Sequence, residues 1–293
     1  MDSPSLLSPW TFDPLQVVPT VIVAVLYFRR TQTLAARGQP VSRWKQASFW
    51  TGIALVMFAL DSPVDALGEE HFFFIHMLQH VVLGDLAPLC FMAGLSGPIL
   101  QPVLKLPGVE RLRILAHPLV ALPVWALNLY IWHIPFLYDA ALHHDAVHAL
   151  EHFMFFTCGC LIWEPVVETL PAPAWFGTGV KIGYIFLVRL IETVLGNVFM
   201  WSTAMFYTVY KHAPEWGITP AHDLNLGGIV MMAEGSAVTL GVLVWLFLRL
   251  AAESETRQRL LEQGYDPVQV RRAVRYGRGQ ALGEGTRARP RNS

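Results

Sequence analysis

The chain of 293 residues is 54% hydrophobic and 15% charged, with a formal net charge of −1 and a mean hydropathy of +0.42. That balance puts long apolar spans ahead of any soluble fold. Three cysteines, Cys90, Cys158 and Cys160, all within apolar runs, are too few for a disulfide framework, and no nucleic-acid partner is expected.

In chain order, the opening MDSPSLLSPWTFDP has no Lys or Arg and so lacks the basic start of a cleavable signal, and the first span is expected to be retained. A hydrocarbon core of about 30 Å needs roughly 20 apolar residues as helix. Seven segments qualify, near 14–30, 44–60, 71–94, 117–136, 146–167, 180–203 and 223–250. The expected fold class is all-α: a polytopic membrane protein built as a bundle of seven transmembrane helices over residues 1–251. Residues 252–293 form a basic cytoplasmic tail, partly disordered beside anionic lipid, with short helices in QRLLEQGYDPVQVRRAVRYG.

Cytoplasmic loops carry excess Lys and Arg. On a seven-span reading, nineteen of the 21 basic residues fall on the side of the 31–43, 95–116 and 168–179 connections and the tail. The 61–70, 137–145 and 204–222 loops face the other way, with Lys211 as their sole basic residue, and Arg189 lies within span 6. The orientation is therefore N-out, C-in.

Orientation gathers the histidines. Eight of the 11, namely His71, His76, His80, His133, His143, His144, His148 and His152, fall at the outer ends or outer halves of spans 3 to 5 or in the loop between. His76/His80 and His148/His152 are i,i+4 pairs, each setting two imidazoles on one helix face. His76 and His80 are expected to form one wall of a metal site, with His148 and His152 opposite and His133 at the rim. Met77 and Met231 are available as soft ligands, and Asp223, heading span 7, joins the candidate set. Thioether with imidazole favours copper as Cu(I). Cys158 and Cys160, at i,i+2, point to different faces and cannot chelate together. Arg189, Glu192, Asp85 and Glu234 are expected to meet as an intramembrane ion-pair cluster, a proton relay being the alternative. Asp145 is expected to cap the fifth helix.

The stretches HMLQH (76–80), WHIPFLYDAALHHDAVHALEH (132–152) and DLNLGGIVMMAEGS (223–236), in that order on seven spans, resemble the seven-helix CtaG family of caa-type cytochrome c oxidase assembly factors. This family is distinct from the single-span copper chaperone of the same name. The resemblance covers residues 60–250, with Asp85 and Asp145 as departures from its pattern. It implies a multi-pass protein of the bacterial plasma (inner) membrane, not an enzyme, that serves maturation of a copper centre. Its partners would be the lipid bilayer and an oxidase subunit or a copper chaperone. A haem- or metal-containing redox protein and a transporter are the alternatives.

The Lys/Arg asymmetry predicts that reporter fusions at 61–70 and 204–222 report an extracytoplasmic location and fusions to the tail a cytoplasmic one. A tail fusion active outside would overturn the depth assignments of every histidine.

Overall fold

A computed structural model describes residues 10, 12–207, 209–210, 217–275, 277–279 and 282. The first nine residues, Lys211 with its neighbours, and the end of the basic tail lie outside the described residues. The described residues form helices and contain no strand. The helices are α1 Pro14–Ala36, α2 Arg43–Asp61, α3 Pro63–Glu70, α4 Phe73–Val81, α5 Ala87–Gly94, α6 Gly97–Leu104, α7 Val109–Leu112, α8 Pro118–Trp132, α9 Pro135–His143, α10 Asp145–Val167, α11 Thr178–Trp201, α12 Pro220–Glu262 and α13 Pro267–Arg275.

Four segments are long and apolar enough to cross a membrane: Phe73–Gly94, Asp145–Val167, Thr178–Trp201 and Pro220–Glu262. The chain is a multi-pass membrane protein. The pairs α2–α3 and α8–α9, bent by 45° and 73°, raise the number to six if each is one broken span. The 23-residue α1 is not among them, because Arg29 and Arg30 fall within it. Large apolar side chains stay exposed along α1, α11 and α12, among them Val25, Leu26, Phe186, Leu190, Leu240 and Phe247, as lipid-facing surfaces require. The 61–70 and 137–145 stretches, expected as loops, are largely helical as α3 and α9.

Local chemistry sets the breaks. Pro135 holds Ile134 extended, so α8 stops at Trp132 and His133 becomes its C-cap residue. Pro88 has no N–H to give the Gly84 carbonyl, and the chain widens just before it into a π-helical turn, Val82–Leu86, closed by the Ala87 amide on the Val82 carbonyl. That turn sets Asp85 between α4 and α5. The start of α10 differs from expectation: His144 occupies the cap position without a side-chain bond and Asp145 is the first helical residue, where a carboxylate still favours the positive end of the helix dipole.

One compact unit comprises the described residues up to Ala172 together with Val188–Ser236; a second comprises Pro173–Leu187 and those from Ala237 onward. In the first, α2 packs along α5. Gly52 there abuts the Phe91 backbone, Tyr27 stacks on Phe49 at 3.5 Å, and Lys45 Nζ donates to the Leu95 carbonyl at 2.7 Å, placing a cation at the C-terminal end of α5. Gly159 of α10 lies against the Gly84 carbonyl and the Pro88 ring, and Gly228 of α12 against the Gly196 carbonyl and the Met200 amide of α11. Small residues allow such close backbone approach in membranes. In the second unit, Glu253 accepts from Thr178 Oγ1 at 2.9 Å and from Arg249 Nε at 2.8 Å, and Arg275 Nη2 donates to the Phe176 carbonyl at 2.9 Å.

Gly159→Val drives a side chain into Gly84 and Pro88 and is expected to cost about 1–3 kcal/mol by overpacking, read as a lower thermal midpoint in detergent. Gly241→Ala, whose added methyl meets nothing within 4 Å, should not lower it.

Candidate metal centre

The site lies within the first unit. Asp223 fixes where α4 begins: its two carboxylate oxygens accept from the Phe73 and Phe74 amides at 2.8 and 3.0 Å, doing from α12 what the local cap residue, Phe72, cannot do. The i,i+4 spacing then turns His76 and His80 to the same interior face, 0% and 4% exposed. Their Nε2 atoms stand 2.7 Å apart, a separation that requires a proton, or a cation, between two lone pairs.

From α10, Glu151 approaches this pair, with Oε1 3.7 Å from His80 Nε2. Ligand atoms of His76, His80 and Glu151 all lie within 4.8 Å of one another. Glu151 is fully buried, and neither carboxylate oxygen has a hydrogen-bond partner. A carboxylate so placed is costly without a counter-charge.

The surrounding histidines are held from outside. His133 Nδ1 is bonded to the Leu129 carbonyl at 2.6 Å, and His148 Nδ1 to Glu69 Oε1 of α3 at 2.7 Å. In a neutral imidazole, an oxygen acceptor on Nδ1 puts the proton there and leaves Nε2 with its lone pair. Both Nε2 atoms are buried and unbonded, as are both nitrogens of His152. Ring centroids link the set: His76–His148 at 5.7 Å, His80–His133 at 5.9 Å, His80–His152 at 6.0 Å and His148–His152 at 4.0 Å. Outer oxygens fixing the tautomer of inner imidazoles is how metal-binding histidines are oriented. Buried polar atoms normally find partners, so this concentration of free donors fits a cation.

An aromatic layer closes one side. Tyr210 Oη donates to the Gly68 carbonyl at 2.9 Å, so the 2.8 Å contact between the Tyr138 and Tyr210 hydroxyls has Tyr138 as donor. Tyr207 Oη donates to the His133 carbonyl at 2.9 Å. Burial pushes the Tyr207 and Tyr210 phenols up, keeping them protonated donors.

On another side, Met77 and Met231, both buried, share with His80 and His133 the lining of a cavity of about 40 Å³ that reaches Asp85, Glu192 and Glu234. The structure thus gathers His76, His80, His133, His148 and His152, sets Met77 and Met231 beside them, and places Asp223 at the head of α4 with both oxygens engaged. Sequence reasoning passed over Glu151 as a donor, although His148, Glu151 and His152 share one helix face at i, i+3 and i+4. Glu69 and Tyr210 carry no sequence signal, being brought in from distant segments. His117, outside the group, accepts from the Leu119 amide and caps α8.

A family model, that of the cytochrome c oxidase caa3 assembly factor, matches residues 25–253, a span that contains every residue of this centre. The chain belongs to that family. It is also similar, at 24% identity over 268 residues, to two proteins each named as uncharacterized, Mb0105 of Mycobacterium bovis and MT0111 of Mycobacterium tuberculosis. In each case the match covers 85% of this chain and 40% of the relative, so the chain spans well under half the length of the curated relatives it matches. No solved structure matches the chain.

Because Asp223 supplies both cap acceptors of α4, Asp223→Ala is expected to cost about 0.5–2 kcal/mol, read as a lower thermal midpoint, with Asp223→Asn, which keeps one acceptor, in between.

Proposed function

We propose that this family member assembles a copper-containing cytochrome c oxidase by holding copper as cargo at His76, His80 and Glu151 in the extracytoplasmic half of a seven-span, N-out, C-in bundle. The observation that carries the reading is the facing pair of Nε2 atoms, 2.7 Å apart, with a buried carboxylate that has no hydrogen-bond partner 3.7 Å away. Two imidazoles and a carboxylate also suit zinc or iron. The nearby Met77 and Met231 thioethers, soft donors on the cavity wall, tilt the preference to Cu(I). α1 counts as the seventh span on this reading, with Arg29 and Arg30 at its cytoplasmic end.

The protein's own groups position and release the cargo, with no covalent turnover and no enzymatic role. Glu69 and the Leu129 carbonyl keep His148 and His133 with inward lone pairs, offering successive nitrogens as copper passes to an oxidase subunit or arrives from a copper chaperone. The setting is the bacterial plasma membrane.

Protein purified without a histidine tag and loaded with Cu(I) tests this. His76→Ala, His80→Ala and Glu151→Gln should each lower bound copper several-fold. His148→Ala, which removes a flanking group already paired with Glu69, should lower it less, and exposed His143→Ala should leave it unchanged. In cells, His76→Ala should reduce active oxidase at an undiminished level of the factor, with partial rescue by added copper. Wild-type copper content in both His76→Ala and His80→Ala would reduce these histidines to packing groups.

A further inference from the structure

Four charged side chains converge on the other end of the cavity: Asp85 from the π-helical turn, Arg189 and Glu192 from α11, and Glu234 from α12. Asp85 lies midway along the Phe73–Gly94 span. An unpaired charge at that depth is expensive, so the charges must balance locally. Arg189 Nη1 lies 3.6 Å from Glu192 Oε2, while Nη2 donates to the Met232 carbonyl and Ser236 Oγ, both at 2.9 Å. Gly235 makes room for this pair, since a side chain there would strike the guanidinium. One cation thus answers one carboxylate, and two carboxyls remain.

Those two face each other. Asp85 Oδ1 accepts from Trp163 Nε1 of α10 at 2.6 Å, the Asp85 and Glu234 carboxyls line the same cavity and interact side chain to side chain, and Glu234 Oε1 is buried with no hydrogen-bond partner. Two ionised carboxylates repel; a hydrogen bond between them needs a proton. Among the described residues, the remaining neighbours bring no charge: α2 presents Val56, Ala59 and Leu60 to the π turn, and α8 presents Trp125 and Leu129 to the cavity. The other titratable groups facing it are His80 and His133 across the cavity, and His133 is 6% exposed with a free Nε2. A π-helical turn, rare and common at functional sites, is what carries Asp85 to this wall.

We propose that Asp85 and Glu234 share a proton at neutral pH in the middle of the bundle, and that the cavity links the occupancy of this proton to the charge held by the histidine cluster. The cavity, at about 40 Å³, has room for about three or four waters at roughly 10–15 Å³ each. A cation arriving beside His80 repels the proton, which leaves the carboxyl pair through this water to bulk solvent; when the cation leaves, the negative pair takes a proton back from solvent by the same water. Metal loading and unloading thereby become proton-coupled. The linkage rests on the copper-holding reading; the shared proton does not.

Infrared spectroscopy of the detergent-solubilised full chain tests both parts. The metal-free protein should show the carbonyl stretch of a protonated carboxyl that shifts in heavy water, lost in Asp85→Asn and in Glu234→Gln and retained in Glu151→Gln. On loading with Cu(I) the band should weaken in the wild-type protein. Absence of the band from the metal-free wild type overturns the shared proton and means that a cation balances the pair. A band that survives both Asp85→Asn and Glu234→Gln overturns the assignment to these residues. A band unchanged at full copper occupancy overturns the linkage. If no copper binds, the linkage falls with the copper-holding reading, while the metal-free spectrum still decides the proton.

Discussion

The contact between Asp223 and the first two amides of α4 joins residues 150 apart in the chain and sets the register of the site. Helix starts leave amides unsatisfied, and in an apolar bundle water is not there to meet them. Phe72, at the cap, has no side-chain acceptor, so α4 can begin in the bundle only where another element supplies one. Once α12 does, His76 and His80 follow at fixed rotation, Phe73 stacks over Tyr207 at 5.1 Å, and Met77 packs by Gly227. The carboxylate that looked from the sequence like a ligand has both oxygens on the α4 amides and positions the histidines instead.

The same rule, that a polar atom in the bundle needs a partner from the protein, shapes the ring of histidines. Proline placed His133 at a helix end, where its Nδ1 reaches the Leu129 carbonyl; a short helix after α2 brings Glu69 to His148. Each outer bond leaves an inner nitrogen free. The result is a polar pocket whose free atoms are lone pairs and carboxylate oxygens, surrounded by Phe155, Tyr138 and methionine side chains. Lone pairs and carboxylate oxygens of this kind favour a cation over an anion, in a chain that belongs to the family of cytochrome c oxidase caa3 assembly factors.

The histidine cluster and the acidic cluster lie on one cavity, and each sets the electrostatic environment of the other. Within a bundle of low dielectric, charge added at one end is felt across a few ångströms with little screening. The π-helical turn that follows His80 by two residues is the hinge of this arrangement: a regular helix would carry Asp85 to a different azimuth.

The sequence by itself determined the apolar helices and their approximate limits, because burial in lipid demands long runs of apolar residues whatever their neighbours. It also determined which histidines share a helix face, since i,i+4 spacing fixes that locally, and the three motifs were enough to resemble the family to which the chain belongs. The span count was less legible: proline bends turn expected loops into α3 and α9, and the arginines within α1 blur its apolar character. Glu151 was legible in principle, one turn from His148, yet a carboxylate near a helix start reads equally as a dipole partner. What only the tertiary structure decided were the pairings across distance: Asp223 on α4, Glu69 on His148, Tyr210 on Gly68, and Asp85 against Glu234. None of these is encoded by a local period; each exists because a buried polar group in a dry bundle must be answered by whichever helix the packing brings alongside it.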